Sequence, residues 1–155
     1  MVRKVLIILC VLASCLIAQT ELSGKVVRVI DGDSIVILCN KTSYEIRLEG
    51  VDCPELGQPF GKAAKKFTSK MAYGKVVTVQ VKELDKYGRT VGTVYLPDGT
   101  NLCRELIKAG LAWWYWRYSD DESLGELEKE ARQAGLGLWA MPNPTPPWEE
   151  RHKEE

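Results

Sequence analysis

Apolar and polar residues alternate with period two over residues 25–30 (KVVRVI), a Val- and Ile-rich stretch that predicts a β-strand. The turn signal Asp31-Gly32-Asp33 follows, and residues 34–38 and 43–48 read as second and third strands joined tightly through Asn40-Lys41. Asn40-Lys41-Thr42 also matches a glycosylation sequon, but a turn asparagine is the better reading. Pro54 and Pro59 mark a loop. Beyond it Phe60, Ala63, Ala64, Phe67 and Met71 recur at helical spacing, with Lys62, Lys65, Lys66 and Lys70 on other faces and Gly74 placed as a C-terminal cap. Residues 76–81 and 91–95 supply a fourth and a fifth strand, the latter ended by the Asp98-Gly99 turn. A short helix over 102–109 stops at Gly110. A third helix begins at Ser119, which forms a capping box with Glu122; its apolar face is Leu124, Leu127, Ala131 and Ala134, and Gly135 ends it.

Five short strands with a helix after the third, and helices at the end, is the element order of an OB-fold barrel. The fold expected is therefore α+β: a closed five-stranded barrel with three α-helices, spanning residues 21–141 without an internal repeat or domain break. Barrels of this kind often bind single-stranded nucleic acids or oligosaccharides. From Pro142 the chain turns Pro-rich and charged (PNPTPPWEERHKEE), which predicts an extended tail over 142–155, with Trp148 docking back onto the body.

Residues 1–20 read differently. Arg3 and Lys4 precede an almost unbroken apolar run to Ala18, short for a membrane span and suited to an export signal. Cleavage after Ala18 is one reading. The other is a lipoprotein signal, because Leu12-Ala13-Ser14-Cys15 resembles a lipobox that would leave Cys15 lipidated. The product would be secreted, periplasmic or membrane-anchored.

Composition narrows the chemistry. Lys plus Arg and Asp plus Glu are each 21, so the chain carries no basic surplus and any attraction to phosphate must come from a few placed side chains. Of five cysteines, Cys10 and Cys15 belong to the export segment; Cys39, Cys53 and Cys103 remain, too few for a disulfide framework. The single histidine, His152, lies in the tail. A Ser-His-Asp triad, paired-histidine chemistry and an HExxH zinc site all need histidines that the folded part lacks, and no CxxC pair offers a zinc site. Carboxylates, arginines and a hard cation are what is left.

Three clusters carry such groups: VIDGDS (29–34), RLEGVDCPE (47–55) and DKYGR (85–89), each at or just past a strand end, where barrel loops gather. Hydrolysis of a phosphodiester requires removing on the order of 20 kcal/mol of barrier, by positioning, charge neutralisation and an activated water. Asp33 and Asp52 could both reach one hard cation, with carbonyls and waters completing its oxygen shell. Arg47 and Arg89 offer planar forks that match phosphate, and Glu55, held by Pro54, could orient or deprotonate water. Oxygen ligands alone would admit Mg²⁺ or Mn²⁺ as well as Ca²⁺.

The three clusters, with Gly110-Leu111-Ala112 after them, resemble the signatures of the staphylococcal nuclease (thermonuclease) family over nearly the whole of residues 22–140. That resemblance implies an OB barrel with three helices and Ca²⁺-dependent cleavage of DNA and RNA, single-stranded or locally melted, at the 5′ P–O bond to leave 3′-phosphate ends. It implies one Ca²⁺ held by Asp33 and Asp52 with the backbone carbonyl of Cys53, Glu55 as general base or holder of the attacking water, and Arg47 and Arg89 as the phosphate clamp. Lys86 and Tyr87 would contact a terminal phosphate, and Trp116 and Tyr118 would stack bases. The chain departs from the best-known member at Cys53 (threonine there), at Trp116 (tyrosine there) and in a shorter loop between Val81 and Asp85. In the run Trp113-Trp114-Tyr115-Trp116, alternation puts Trp114 and Trp116 on one face and Trp113 and Tyr115 on the other. A second class of function, a non-catalytic OB-fold nucleic-acid-binding module, is disfavoured by retention of all five charged positions. A monomer without an obligate protein partner is the default.

Overall fold

The computed structural model of the chain describes residues 20–153. Residues 1–19, all of the expected export signal but its last residue and Cys15 included, lie outside the described residues. The Val- and Ile-rich alternation does build strands: β1 (Glu21–Val29), β2 (Ser34–Cys39), β3 (Thr42–Leu48), then β5 (Val76–Leu84) and β6 (Thr90–Tyr95), with a two-residue β4 (Val51–Asp52) between β3 and the first helix. They close in the order β1-β2-β3-β6-β5. Every junction is antiparallel except β3–β6, which is parallel and pairs Arg47 with Val91. β1 serves two neighbours, its second half pairing with β2 and its first half with β5. Register shifts between Val26 and Arg28 and between Val81 and Glu83 bend the ladders where the barrel must curve.

The inward positions are aliphatic: Val26, Ile35, Ile37, Ile46, Leu48, Val77, Val79 and Val94 are buried. Each such side chain contributes about 1.5–3 kcal/mol relative to leaving it in water. Asn40 and Lys41 both take left-handed backbone, φ 49° and 66°, the pair of positive angles a tight two-residue hairpin needs. Helix α1 (Gly61–Ala72) lays Ala64, Thr68 and Ala72 against the barrel. Helix α2 (Leu102–Lys108), capped by the Asn101 side chain accepting from the Arg104 amide, inserts Leu102, Leu106 and Ile107 into the same core. Helix α3 (Glu122–Gln133) packs on α2.

The structure corrects four expectations. Helix α3 starts at Glu122 rather than Ser119, because Asp121 caps it by accepting from the Ser123 amide; Ser119 is buried in the preceding turn. Ala63 and Ala134, expected on apolar faces, are exposed, and Thr68 takes the buried place on α1. A two-residue strand β7 (Trp113–Trp114) pairs antiparallel with β4, too short to leave any periodicity in the sequence. The tail is not extended. Residues Pro147–Lys153 form a helix, α4, so the chain has four helices among the described residues. Pro147 sits at its first position, where the missing N–H would have had no helical partner anyway.

Candidate active site

Three local devices carry the acidic residues to one end of the barrel. The Asp33 amide donates to Asp31 Oδ1 at 3.0 Å, closing the turn before β2. That turn is fastened from outside by α1, whose Thr68 hydroxyl donates to the Gly32 carbonyl at 2.6 Å. A Cβ on Gly32 would lie only 2.8 Å from Cys53 Sγ, so the close packing of turn, helix and Cys53 requires glycine there. Asp52 is placed by the β4–β7 ladder, opposite Trp113. Arg47 projects from β3, whose pairing sets it against Ser34, next to Asp33.

These residues converge. Cys53 N–H donates to Asp33 Oδ2 at 2.6 Å. The Arg47 guanidinium reaches Asp33 Oδ2 at 3.3 Å and Asp52 Oδ1 at 3.1 Å, and donates to the carbonyls of Leu48 and Val51. Asp33 and Asp52 are almost fully buried. Burial pushes both carboxyls above their ordinary range, against the pull of Arg47 on Asp33 and of Arg151 and Arg47 on Asp52. Asp31, absent from the sequence-derived site, is pushed up to about 6 by burial, with the charge on Asp33 adding to it. Burial also raises the Cys53 thiol well above its usual value, which keeps it protonated and leaves its backbone as the polar part facing the cluster.

None of the other predicted residues hydrogen-bonds or ion-pairs directly with Asp33, Arg47 or Asp52 among the described residues. Glu55 lies in the loop after β4, where its amide donates to Gln58 Oε1 at 2.9 Å and its side chain is half-exposed. A Cβ on Gly61 would overlap the Glu55 carbonyl, so the start of α1 can press on this loop only as glycine. Arg89 ends the hairpin turn just before β6, whose Val91 pairs with Arg47, and its Nε donates to Asp85 Oδ2 at 2.7 Å. Lys86 and Arg89 both lie over the Tyr87 ring, 5.1 and 5.5 Å from its centre. Tyr87, Trp116 and Tyr118 are exposed. The aromatic run divides as alternation requires: Trp113 and Tyr115 both face Trp148, whereas Trp114 packs toward Gly125 of α3.

One residue was not found from the sequence. Arg151 on α4 donates from Nη2 to Asp52 Oδ2 at 2.8 Å and from Nη1 to Glu55 Oε1 at 3.0 Å, bridging the cluster to its rim. Trp148, one turn earlier on the same helix, stacks on Tyr115 with ring centres 5.0 Å apart and planes inclined by 2°. The available signal was the spacing of Trp148 and Arg151, three residues apart and hence on one helical face, which the prolines obscured.

A hard cation fits this arrangement. Two buried carboxylates share a single interior arginine, and a second guanidinium already stands as a cation on Asp52 and Glu55. Among the described residues no group of three or more Asp, Glu, Cys or His side chains is placed to hold a metal ion, so an ion on Asp33 and Asp52 would need carbonyls and waters to complete its shell.

The family model for staphylococcal nuclease homologues matches residues 45–141, a span that holds Arg47, Asp52, Glu55 and Arg89 and ends before α4. An Escherichia coli O157:H7 protein described as an uncharacterized endonuclease is 41% identical over 134 residues, covering 86% of this chain and 88% of that protein. The micrococcal nuclease of Shigella flexneri is 40% identical over 144 residues, 86% of this chain and 83% of its own. An uncharacterized endonuclease of Haemophilus influenzae is 35% identical over 156 residues, 100% of this chain and 86% of its own.

Proposed function

Since the chain belongs to the staphylococcal nuclease homologue family, and is therefore a phosphodiester-hydrolysing enzyme, we propose that it is an exported, Ca²⁺-dependent nuclease that cleaves DNA and RNA at the 5′ P–O bond. The observation that carries the metal reading is the buried pair Asp33 and Asp52 with a foreign guanidinium drawn onto Asp52 and Glu55: this pocket recruits positive charge. Asp33 and Asp52, with the Cys53 carbonyl, would hold the ion. Bound there, Ca²⁺ would neutralise phosphate charge and polarise the reacting oxygens.

The chain's own side chains divide the remaining work. Glu55, half-exposed at the rim, takes the proton of the attacking water or holds that water in line. Arg89, tied to Asp85 of its own hairpin and lying over the Tyr87 ring, is able to turn its fork to a non-bridging phosphate oxygen and stabilise the charge that builds in the transition state. Arg47 fixes the two carboxylates relative to each other and adds its field at the phosphorus. Lys86 and Tyr87 receive a terminal phosphate, and Trp116 and Tyr118 stack bases of single-stranded or locally melted substrate. Water adds at phosphorus, the 5′ oxygen leaves with a proton, and the 3′ end keeps the phosphate.

The test is a fluorescence nuclease assay on DNA and RNA with chelator and after replenishment by Ca²⁺, Mg²⁺ or Mn²⁺, followed by end-group analysis. Loss with chelator, restoration by Ca²⁺ and 3′-phosphate ends are expected. Turnover indifferent to chelator would overturn the metal reading, and binding without cleavage under all ions would make the domain a binding module. Export is proposed from residues 1–20, freely or through lipidated Cys15, and mass measurement of the mature N-terminus from the native envelope distinguishes the two.

A further inference from the structure

Arg151 places its two terminal nitrogens on Asp52 Oδ2 (2.8 Å) and Glu55 Oε1 (3.0 Å), with a longer contact of 3.4 Å to Asp52 Oδ1. Asp52 thereby has both oxygens engaged by arginines, since Oδ1 also accepts from Arg47 at 3.1 Å. The two arginines differ in how they are held. Arg47 is anchored by β3 and by two backbone carbonyls, and its side chain is 14% exposed. Arg151 is 40% exposed and arrives on a seven-residue helix. That helix is fastened by the stack of Trp148 on Tyr115 and by the edge contact of Trp148 with Trp113, ring centres 5.8 Å apart. A cation coordinated by Asp52 would sit about 2.3–2.6 Å from a carboxylate oxygen. A guanidinium already bonded to that oxygen repels the cation and occupies one of the lone pairs it would use, so the two compete for Asp52 Oδ2.

We propose that α4 is a latch that competes with the divalent cation: Arg151 neutralises Asp52 and Glu55 in the cation-free enzyme and must leave them when the ion binds. The proposal rests on Asp52 being a cation ligand. Its consequence is a threshold. The cation level at which the enzyme becomes active is set by the latch as well as by the ligands, and the general base is released from its arginine by the same event that fills the metal site. Tyr115 and Trp148 form the hinge side of the latch and make its opening visible, because separating stacked rings changes indole emission.

Calcium binding by the full chain would be measured by calorimetry at about pH 8 for wild type, Arg151→Ala, Trp148→Ala and Asp52→Asn, with circular dichroism to verify folding and tryptophan emission followed through each titration. Expected are a Ca²⁺ affinity at least about tenfold tighter for Arg151→Ala, a shift in the same direction for Trp148→Ala, and no binding by Asp52→Asn. Wild-type emission should change as calcium is added, and Trp148→Ala should lose that change. Equal affinity of wild type and Arg151→Ala, with Asp52→Asn still defective, would overturn the latch and leave the metal reading standing. Weaker binding by Arg151→Ala would likewise overturn it, making Arg151 a support of the ion rather than its rival. Absence of binding in wild type and Arg151→Ala alike would remove the metal reading and the latch with it.

Discussion

The inner and outer halves of the site are built on opposite plans. Asp33, Arg47 and Asp52 are buried and tied several times over, to one another, to backbone groups and, through the Gly32 carbonyl, to α1. Glu55, Arg89 and Arg151 are partly exposed, each on a loop, hairpin or terminal helix, and each with one or two polar partners. The inner half resembles a structural ion-pair cluster, in which removing one partner strands the others in a medium of low polarity. The outer half has the freedom that a base and a phosphate clamp need to meet a substrate. On the proposed reading burial and catalytic participation separate: the inner residues would prepare a field, and the outer ones would act within it.

That division can be broken by substitution. The largest effect is expected for Arg47→Ala, which leaves Asp33 and Asp52 without their shared cation. It should lower the unfolding free energy by about 3–5 kcal/mol in urea titrations, whereas Arg89→Ala, removing a partly exposed pair, should move it by less, on the order of 1 kcal/mol. Equal losses would erase the distinction. Glu55→Gln is expected to reduce turnover by about 100-fold or more while the urea midpoint stays within about 0.5 kcal/mol of wild type. Turnover within a few fold of wild type would deny Glu55 the role of base.

A subtler probe of the inner half is Thr68→Val, which removes the hydroxyl bonded to the Gly32 carbonyl without opening a cavity. A cost of about 1–3 kcal/mol is expected, the penalty for a buried carbonyl left unpaired. The smallest effect concerns the hairpin. Burial works against the Asp85 charge, but bonds from the amides of Arg89 and Tyr87 and from the Arg89 side chain hold its carboxyl below the usual range. A carboxyl so depressed in the folded state adds stability above its unfolded pKa and loses it as the pH falls through the folded value. Carboxyl-carbon NMR should therefore find Asp85 titrating below about 3.9, and rising toward it in Arg89→Ala.

How much of this was written legibly in the sequence depends on the length of each device. The five barrel strands carry six to nine residues each, enough for Val and Ile to mark which face is inward, and the barrel follows from them. The ladder of β4 with β7 has two residues on each side and no period to read, although it seats Asp52. The start of α3 was misplaced because Ser119 and Asp121 are both good caps, and the choice between them is made by tertiary packing that buries Ser119. The carboxylates and arginines were legible because few other reactive groups exist in the chain. Arg151 was not, since nothing local says where a terminal helix will dock. Only the contact of Trp148 with Tyr115 and Trp113 decides that.

The β4–β7 ladder has one more consequence, for the order in which the molecule comes into being. Asp52 is held opposite Trp113, whose backbone is synthesised after all five barrel strands, α1 and α2. A chain still being made, or cut short ahead of Trp113, has the materials of a barrel but no seat for Asp52.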